Sequence, residues 1–426
     1  MPIDNLNKLF QQIDTKRLML FVVILAMVFR FAFILCAQNI GDPTNMDAQN
    51  YLRIAENLVA GKGFKVWSQP SLYVAPLYPT VLAALRFIFG DSIWVIKTFQ
   101  ALLGTASVWL VYVLAKELLA PPAATFSAAI FALHPEIIAL AGFIYTEVVF
   151  IFLLLVTLIF TVKAIKRGTV LSYCFAGFSL GLTNLCRGTL MYFPIFLLLM
   201  ILLYRSELRR QRIIGVAVLG FSMALTMSPW TIRNYVQFKA FVPVASGLGD
   251  VLWTGNYLPF DGEFRYEETQ NKIHEIVGDT SFVERDRILI AEAKKNILAQ
   301  PVESAWLMVR KAFRYWLRVY ENVPSGEQRD KNWLIFGVLA GIHFSILSLG
   351  VFGGRKLPFR NPTVGMFIAL ILYYTLIHTL TLPVVRYRLP LLPILCIFAA
   401  AGLQIAVNVF QRNPCQVFAN SENASY

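Results

Sequence analysis

The chain has 426 residues, of which 57% are hydrophobic and 15% charged, and a net charge of +13; soluble domains carry about 25% charged residues. An ordinary soluble enzyme is therefore excluded. Because Lys and Arg sit mainly between apolar runs, the positive balance reads as membrane orientation rather than as a nucleic-acid footprint, and no nucleic-acid partner is expected. A span takes about 20 residues, so the length is absorbed by one membrane domain over 1–426, an all-α polytopic transmembrane helical bundle.

The polar stretch 1–17 precedes an apolar run at 18–38 with no small-residue cleavage site, which makes that run a retained first span. Arg30 inside it is costly against lipid and is expected to face the bundle or snorkel outward. The first external loop, 39–91, holds a turn at Gly41-Asp42-Pro43, an amphipathic helix over Asp47–Ala60 and an apolar helix over Pro76–Phe89 too short to cross. Further runs fall near 92–115, 123–143, 148–163, 169–185, 189–204, 213–230, 333–352, 363–381 and 390–409, giving about ten spans. A large external loop covers 231–332. Within it, 244–263 reads as loop, with Gly247, Gly249, Gly255 and Gly262, and 280–299 has charges at helical spacing. Glu303–Tyr320 sets Trp306, Val309, Phe313, Trp316 and Leu317 against four basic residues, the pattern of an interfacial helix. The polar tail after Arg412 is expected to be disordered.

With a cytoplasmic N-terminus, the cytoplasmic segments collect Lys16, Arg17, Lys116, Lys163, Lys166, Arg167 and the Arg209–Arg212 cluster, while the short external turns keep only Arg187, Arg386 and Arg388. The asymmetry holds only if Pro76–Phe89 does not cross.

Asp47 and Glu147 stand in consecutive external loops on one face, where two carboxylates can line one cavity as base and orienting partner. Each also sits near a helix start, where an acid is a good cap, and that alternative is open for both. Arg187, Arg233, Arg386 and Arg388 lie on the external side against the charge rule. They suit phosphate through forked donors, or else interfacial anchoring and pairing with acids. The five cysteines show no CxxC, the four histidines are scattered, and no metal site is proposed. No Walker motif, serine elbow or dinucleotide fingerprint is present, which argues against ATP-driven transport and serine hydrolysis.

Several short motifs occur in a fixed order: Asp47-Ala48-Gln49-Asn50-Tyr51, Pro76-Leu77-Tyr78-Pro79, Phe89-Gly90-Asp91, Tyr145-Thr146-Glu147, Pro229-Trp230-Thr231-Ile232-Arg233-Asn234 and Arg386-Tyr387-Arg388-Leu389-Pro390. In these the chain resembles, over nearly its whole length, the polyprenyl-phosphate-sugar-dependent membrane glycosyltransferases of the GT-C fold, the superfamily of protein O-mannosyltransferases and lipid A aminoarabinose transferases. Where that family often has two adjacent acids, Asp47 is followed by Ala48, so the resemblance is nearer to its broad bacterial-type group. The resemblance implies a sugar moved from a polyprenyl-phosphate donor to a protein, lipid or glycan acceptor, without a cofactor, at the external face of a plasma (inner) membrane. It implies Asp47 as the catalytic carboxylate and Glu147 as the second acid. Tyr51, Arg187, Arg233, Arg386 and Arg388 become substrate-binding residues.

Two other readings compete. A transporter or flippase of lipid-linked cargo would show charges or broken helices at mid-membrane and often a repeated half. A glycan polymerase or ligase would keep its key residues in the large loop 231–332.

Overall fold

A computed structural model of the protein describes residues 14–36, 46–66, 68–203, 209–319 and 327–412. The expected turn at Gly41–Pro43 and the tail after Arg412 lie outside these. The first span is α1, Thr15–Cys36, followed by α2, Met46–Val59, and a hairpin of β1, Lys65–Val66, and β2, Gln69–Pro70. Then come α3, Leu77–Phe89; α4, Ile93–Ala115; α5, Pro121–Ala132; and α6, Pro135–Ala139. After these, α7 is Glu147–Arg167, α8 is Val170–Cys186, α9 is Phe193–Leu203 and α10 is Arg209–Phe238. The segment after α10 holds α11, Leu248–Asn256; α12, Tyr266–Val277; α13, Phe282–Ala299; and α14, Pro301–Leu317. The last helices are α15, Glu327–Lys356, α16, Pro362–Leu380, and α17, Leu392–Arg412, the last entered through a 3₁₀ turn at Val385–Leu391.

Among the described residues, seven helices are long and apolar enough to cross a membrane: α1, α4, α7, α10, α15, α16 and the 3₁₀ turn with α17. The protein is an integral multi-pass membrane protein. Three of the ten expected runs are shorter helices. The run 123–143 breaks because Pro135 has no N–H and forces His134 into extended backbone, φ −66° and ψ 122°, so α5 stops and α6 restarts. The run 189–204 opens as a 3₁₀ turn, Gly188–Leu190, before α9, and α8 has 17 residues.

Close helix contacts depend on small residues, as expected where lipid gives no hydrophobic drive between helices. Gly353 of α15 lies against the carbonyl of Phe398, and Gly177 of α8 against that of Leu219 in α10. A β-carbon at either would collide with backbone. Arg30 is fully buried in α1 and donates to the Ala26 carbonyl at 2.9 Å, with Gly104 of α4 leaving room for its guanidinium. Of the two outcomes open to it, it faces the bundle.

The segment between α10 and α15 corrects one expectation. The glycine-rich 244–263 contains a helix, α11, whose glycines serve close approach: Gly249 meets the backbone of Asp286, and Gly255 meets the carbonyl of Thr381 at the end of α16. The buried Lys311 of α14 completes that contact. Its Nζ donates to the carbonyls of Gly255 at 2.8 Å and Thr381 at 3.1 Å and to Asn256 Oδ1 at 3.2 Å. Burial lowers the Lys311 ammonium to about 7. The outer face of α14 leaves Val302, Trp306, Val309, Phe313 and Leu317 exposed in one stripe, as an interfacial helix requires.

Candidate active site

Five loops at one end of the bundle close around a cavity of about 210 Å³. α2 supplies Asp47 in its first turn and Tyr51 one turn later, so both side chains share a face. The Tyr51 ring packs edge-on to Tyr78 at 5.2 Å; the Tyr78 hydroxyl donates to Gln100 Oε1 at 2.9 Å, and Gln100 Nε2 donates to the Phe143 carbonyl at 2.9 Å. This relay fixes the first loop to α4 and to the segment that leads into α7. Burial, reinforced by the charges of Asp47 and Glu147, holds the Tyr51 hydroxyl well above its ordinary value, so it stays protonated.

Glu147 opens α7 and is almost fully buried, with 3% of its side chain exposed against 40% for Asp47. Arg187, in extended backbone at the end of α8, reaches Glu147 Oε1 with Nη1 at 3.1 Å. Arg386 stands in the 3₁₀ turn before α17. Its Nη2 donates to Asp47 Oδ2 at 2.9 Å, and its Nε lies 3.8 Å from Glu147 Oε1. The result is an alternating row, Asp47–Arg386–Glu147–Arg187, with zero formal charge. Tyr387 presents its ring to Arg187 at 4.0 Å, and Tyr145 lies 5.0 Å from Arg386. Such stacking orients a guanidinium without using its donors.

The lip of the cavity comes from the connection between α10 and α11, a contribution that residue types alone did not show. Ala245, Ser246 and Gly247 line it together with Asn50 and Tyr73. Gly247 is left-handed at φ 111°, and its open side faces the Tyr73 ring. The Asp286 carboxylate accepts the N–H of Gly247 at 3.3 Å and of Gly249 at 2.5 Å, capping α11. Burial pushes that carboxyl above its ordinary value, with the two N–H groups opposing. The glycine at 247 is the only sequence signal for this lip.

Four of the arginines singled out by sequence therefore divide in two. Arg187 and Arg386 line the cavity. Arg233 and Arg388 do not: Arg233 Nη1 donates to the Ser71 carbonyl at 3.1 Å and its Nη2 to that of Phe64 at 3.3 Å, with the guanidinium over Trp230, so it ties α10 to the hairpin. Arg388 is buried, and its Nη1 donates to the carbonyls of Tyr315, Trp316 and Arg318 at 2.7, 3.3 and 3.0 Å. It satisfies orphan carbonyls at the C-terminal end of α14, where a cation is favoured. Among the described residues, no group of three His, Cys, Asp or Glu converges as a metal site.

Residues 73–230, from the cavity wall to the middle of α10, match the dolichyl-phosphate-mannose-protein mannosyltransferase family. The architecture is similar to that of the archaeal oligosaccharyltransferase AglB from Archaeoglobus fulgidus, in a structure with an inhibitory peptide and a dolichol-phosphate: TM-score 0.60, 16% identity, covering 97% of this chain and 52% of that one. The chain has the GT-C fold. The apo form of the same oligosaccharyltransferase is similar at TM-score 0.58 and 15% identity over 95% of this chain. This GT-C chain thus spans about half the length of those oligosaccharyltransferases. ArnT from Cupriavidus metallidurans bound to undecaprenyl phosphate is a looser likeness, with TM-score 0.45 and 15% identity over 89% of this chain, and carries no weight. No curated protein matches the sequence.

Proposed function

We propose that the protein is a membrane glycosyltransferase that moves a sugar from a polyprenyl-phosphate donor to an acceptor at the external face. The observation that carries this reading is the pairing, in one cavity, of two carboxylates with two arginines: Asp47 and Glu147 with Arg187 and Arg386. The AglB structures hold a dolichol-phosphate and peptides on the same fold, which supports a lipid-linked donor.

The chemistry follows from the exposures. Asp47, half-exposed at the mouth, takes the proton from the acceptor hydroxyl or amide as the acceptor's lone pair bonds to the anomeric carbon. The anomeric C–O bond breaks and its electron pair leaves on the phosphate. The charge gained there meets Arg386 and Arg187, whose forked donors suit phosphate oxygens. Glu147, buried between the two arginines, orients them toward the cavity. The protonated Tyr51 hydroxyl is a donor at the cavity wall.

The test is transfer of labelled sugar from polyprenyl-phosphate sugars by purified protein, wild type beside Asp47→Asn. Turnover that survives unchanged in the variant ends the reading. Movement of lipid across the bilayer with no sugar transfer favours the flippase instead.

A further inference from the structure

We propose that the ion pair with Arg386 masks Asp47 before the donor binds, and that the donor phosphate unmasks the base by drawing the guanidinium away. This rests on the glycosyltransferase reading and adds to it an order of events: donor first, acceptor second.

A general base needs a free lone pair within reach of the proton it will take. Asp47 Oδ2 accepts a charge-assisted hydrogen bond from Arg386 Nη2 at 2.9 Å. That bond occupies one of the two oxygens that could take the proton.

Arg386 is also held in a way that permits exchange. Arg388, two residues on, grips three backbone carbonyls; Arg386 makes its close contacts with carboxylates and ring faces. A phosphate oxygen is an equivalent acceptor, so the guanidinium can change partners without leaving a carbonyl unpaired.

Glu147 does not suffer from the exchange. Arg187 Nη1 remains on its Oε1 at 3.1 Å, so the buried acid keeps a countercharge when Arg386 turns to the phosphate. Asp47 has the larger exposure of the two and tolerates losing its partner. The formal charges agree with this order. The row by itself is neutral, and the donor, a phosphodiester, brings one negative charge that Arg386 answers. The product phosphate gains a second negative charge, and its departure returns Arg386 to Asp47.

The experiment is a double-mutant cycle read as affinity for polyprenyl phosphate, using the full-length protein in nanodiscs. Asp47→Asn is expected to bind the lipid phosphate about tenfold more tightly than wild type, a typical size for coupling between two groups. In an Arg386→Gln background the same Asp47→Asn change is expected to alter affinity less than twofold. Arg386→Met serves that arm should the Gln variant fail to fold. Equal tightening with and without Arg386 would mean a plain effect of removing one negative charge, and would overturn the exchange while leaving the glycosyltransferase reading intact. Wild-type protein that binds no polyprenyl phosphate at all sinks the donor reading and the exchange together.

Discussion

Arg386 and Arg388 lie two residues apart in one 3₁₀ turn and do opposite work. The first faces the cavity and answers carboxylates; the second is buried against α14 and answers backbone carbonyls. The same contrast separates the cavity from the latch at Lys311, whose ammonium is enclosed by two carbonyls and an amide oxygen. A cation on carboxylates can trade them for another anion. A cation on carbonyls leaves orphaned buried acceptors if it moves, so it is part of the frame.

Four substitutions sharpen or break this contrast. The largest effect is expected at the acid that the mobile arginine answers. Asp47→Asn should lower sugar transfer by about 10²–10⁴-fold, the range for losing a general base, with an unchanged melting profile in detergent. Arg386→Met should cost about 10²-fold in turnover by removing a donor to the leaving phosphate, with a change in stability of about 1 kcal/mol or less, because Asp47 is half-exposed and the buried Glu147 keeps Arg187 as its partner. Arg388→Met should show the reverse balance: a loss of about 2–4 kcal/mol in thermal unfolding from carbonyls left unpaired, with turnover reduced only through displacement of the turn. A stable Arg388 variant with Arg386-like kinetics would erase the distinction.

The smallest effect concerns pH and the latch. Burial places Lys311 at about 7 in the folded protein, below its ordinary 10.5. The unfolded chain then binds the extra proton between these values, so stability is expected to rise as pH goes from about 7 toward 10 and to stay flat below 7. Thermal unfolding at pH 7 and pH 9 checks this, and Lys311→Met should abolish the slope.

Much of the frame was legible in sequence because apolar runs and Lys/Arg placement report directly on spans and sides. Asp47 and Glu147 were marked by standing in consecutive loops expected on one face, Arg187 and Arg386 by running against the expected charge bias, and the structure brings these four together. The same reasoning marked Arg233 and Arg388 equally, because it sees the cation and not its partner. Their partners are carbonyls at Ser71, Phe64 and Tyr315, which every residue possesses and no sequence pattern advertises. The lip at 245–247 was hidden for a related reason: its place depends on Asp286 capping α11 from another helix. The break at Pro135 was readable from proline chemistry, and the continuous apolar run around it hid the stop.

The ion pair between Asp47 and Arg386 joins positions 339 residues apart. A chain inserted from its N-terminus carries Asp47 into the membrane long before Arg386 is synthesised. The charge-balanced row therefore cannot exist until Arg386 has been added, and a chain that stops short of it leaves Asp47 without this counterion. Synthesis as far as Arg386 is therefore what lets the two distant ends of the row meet.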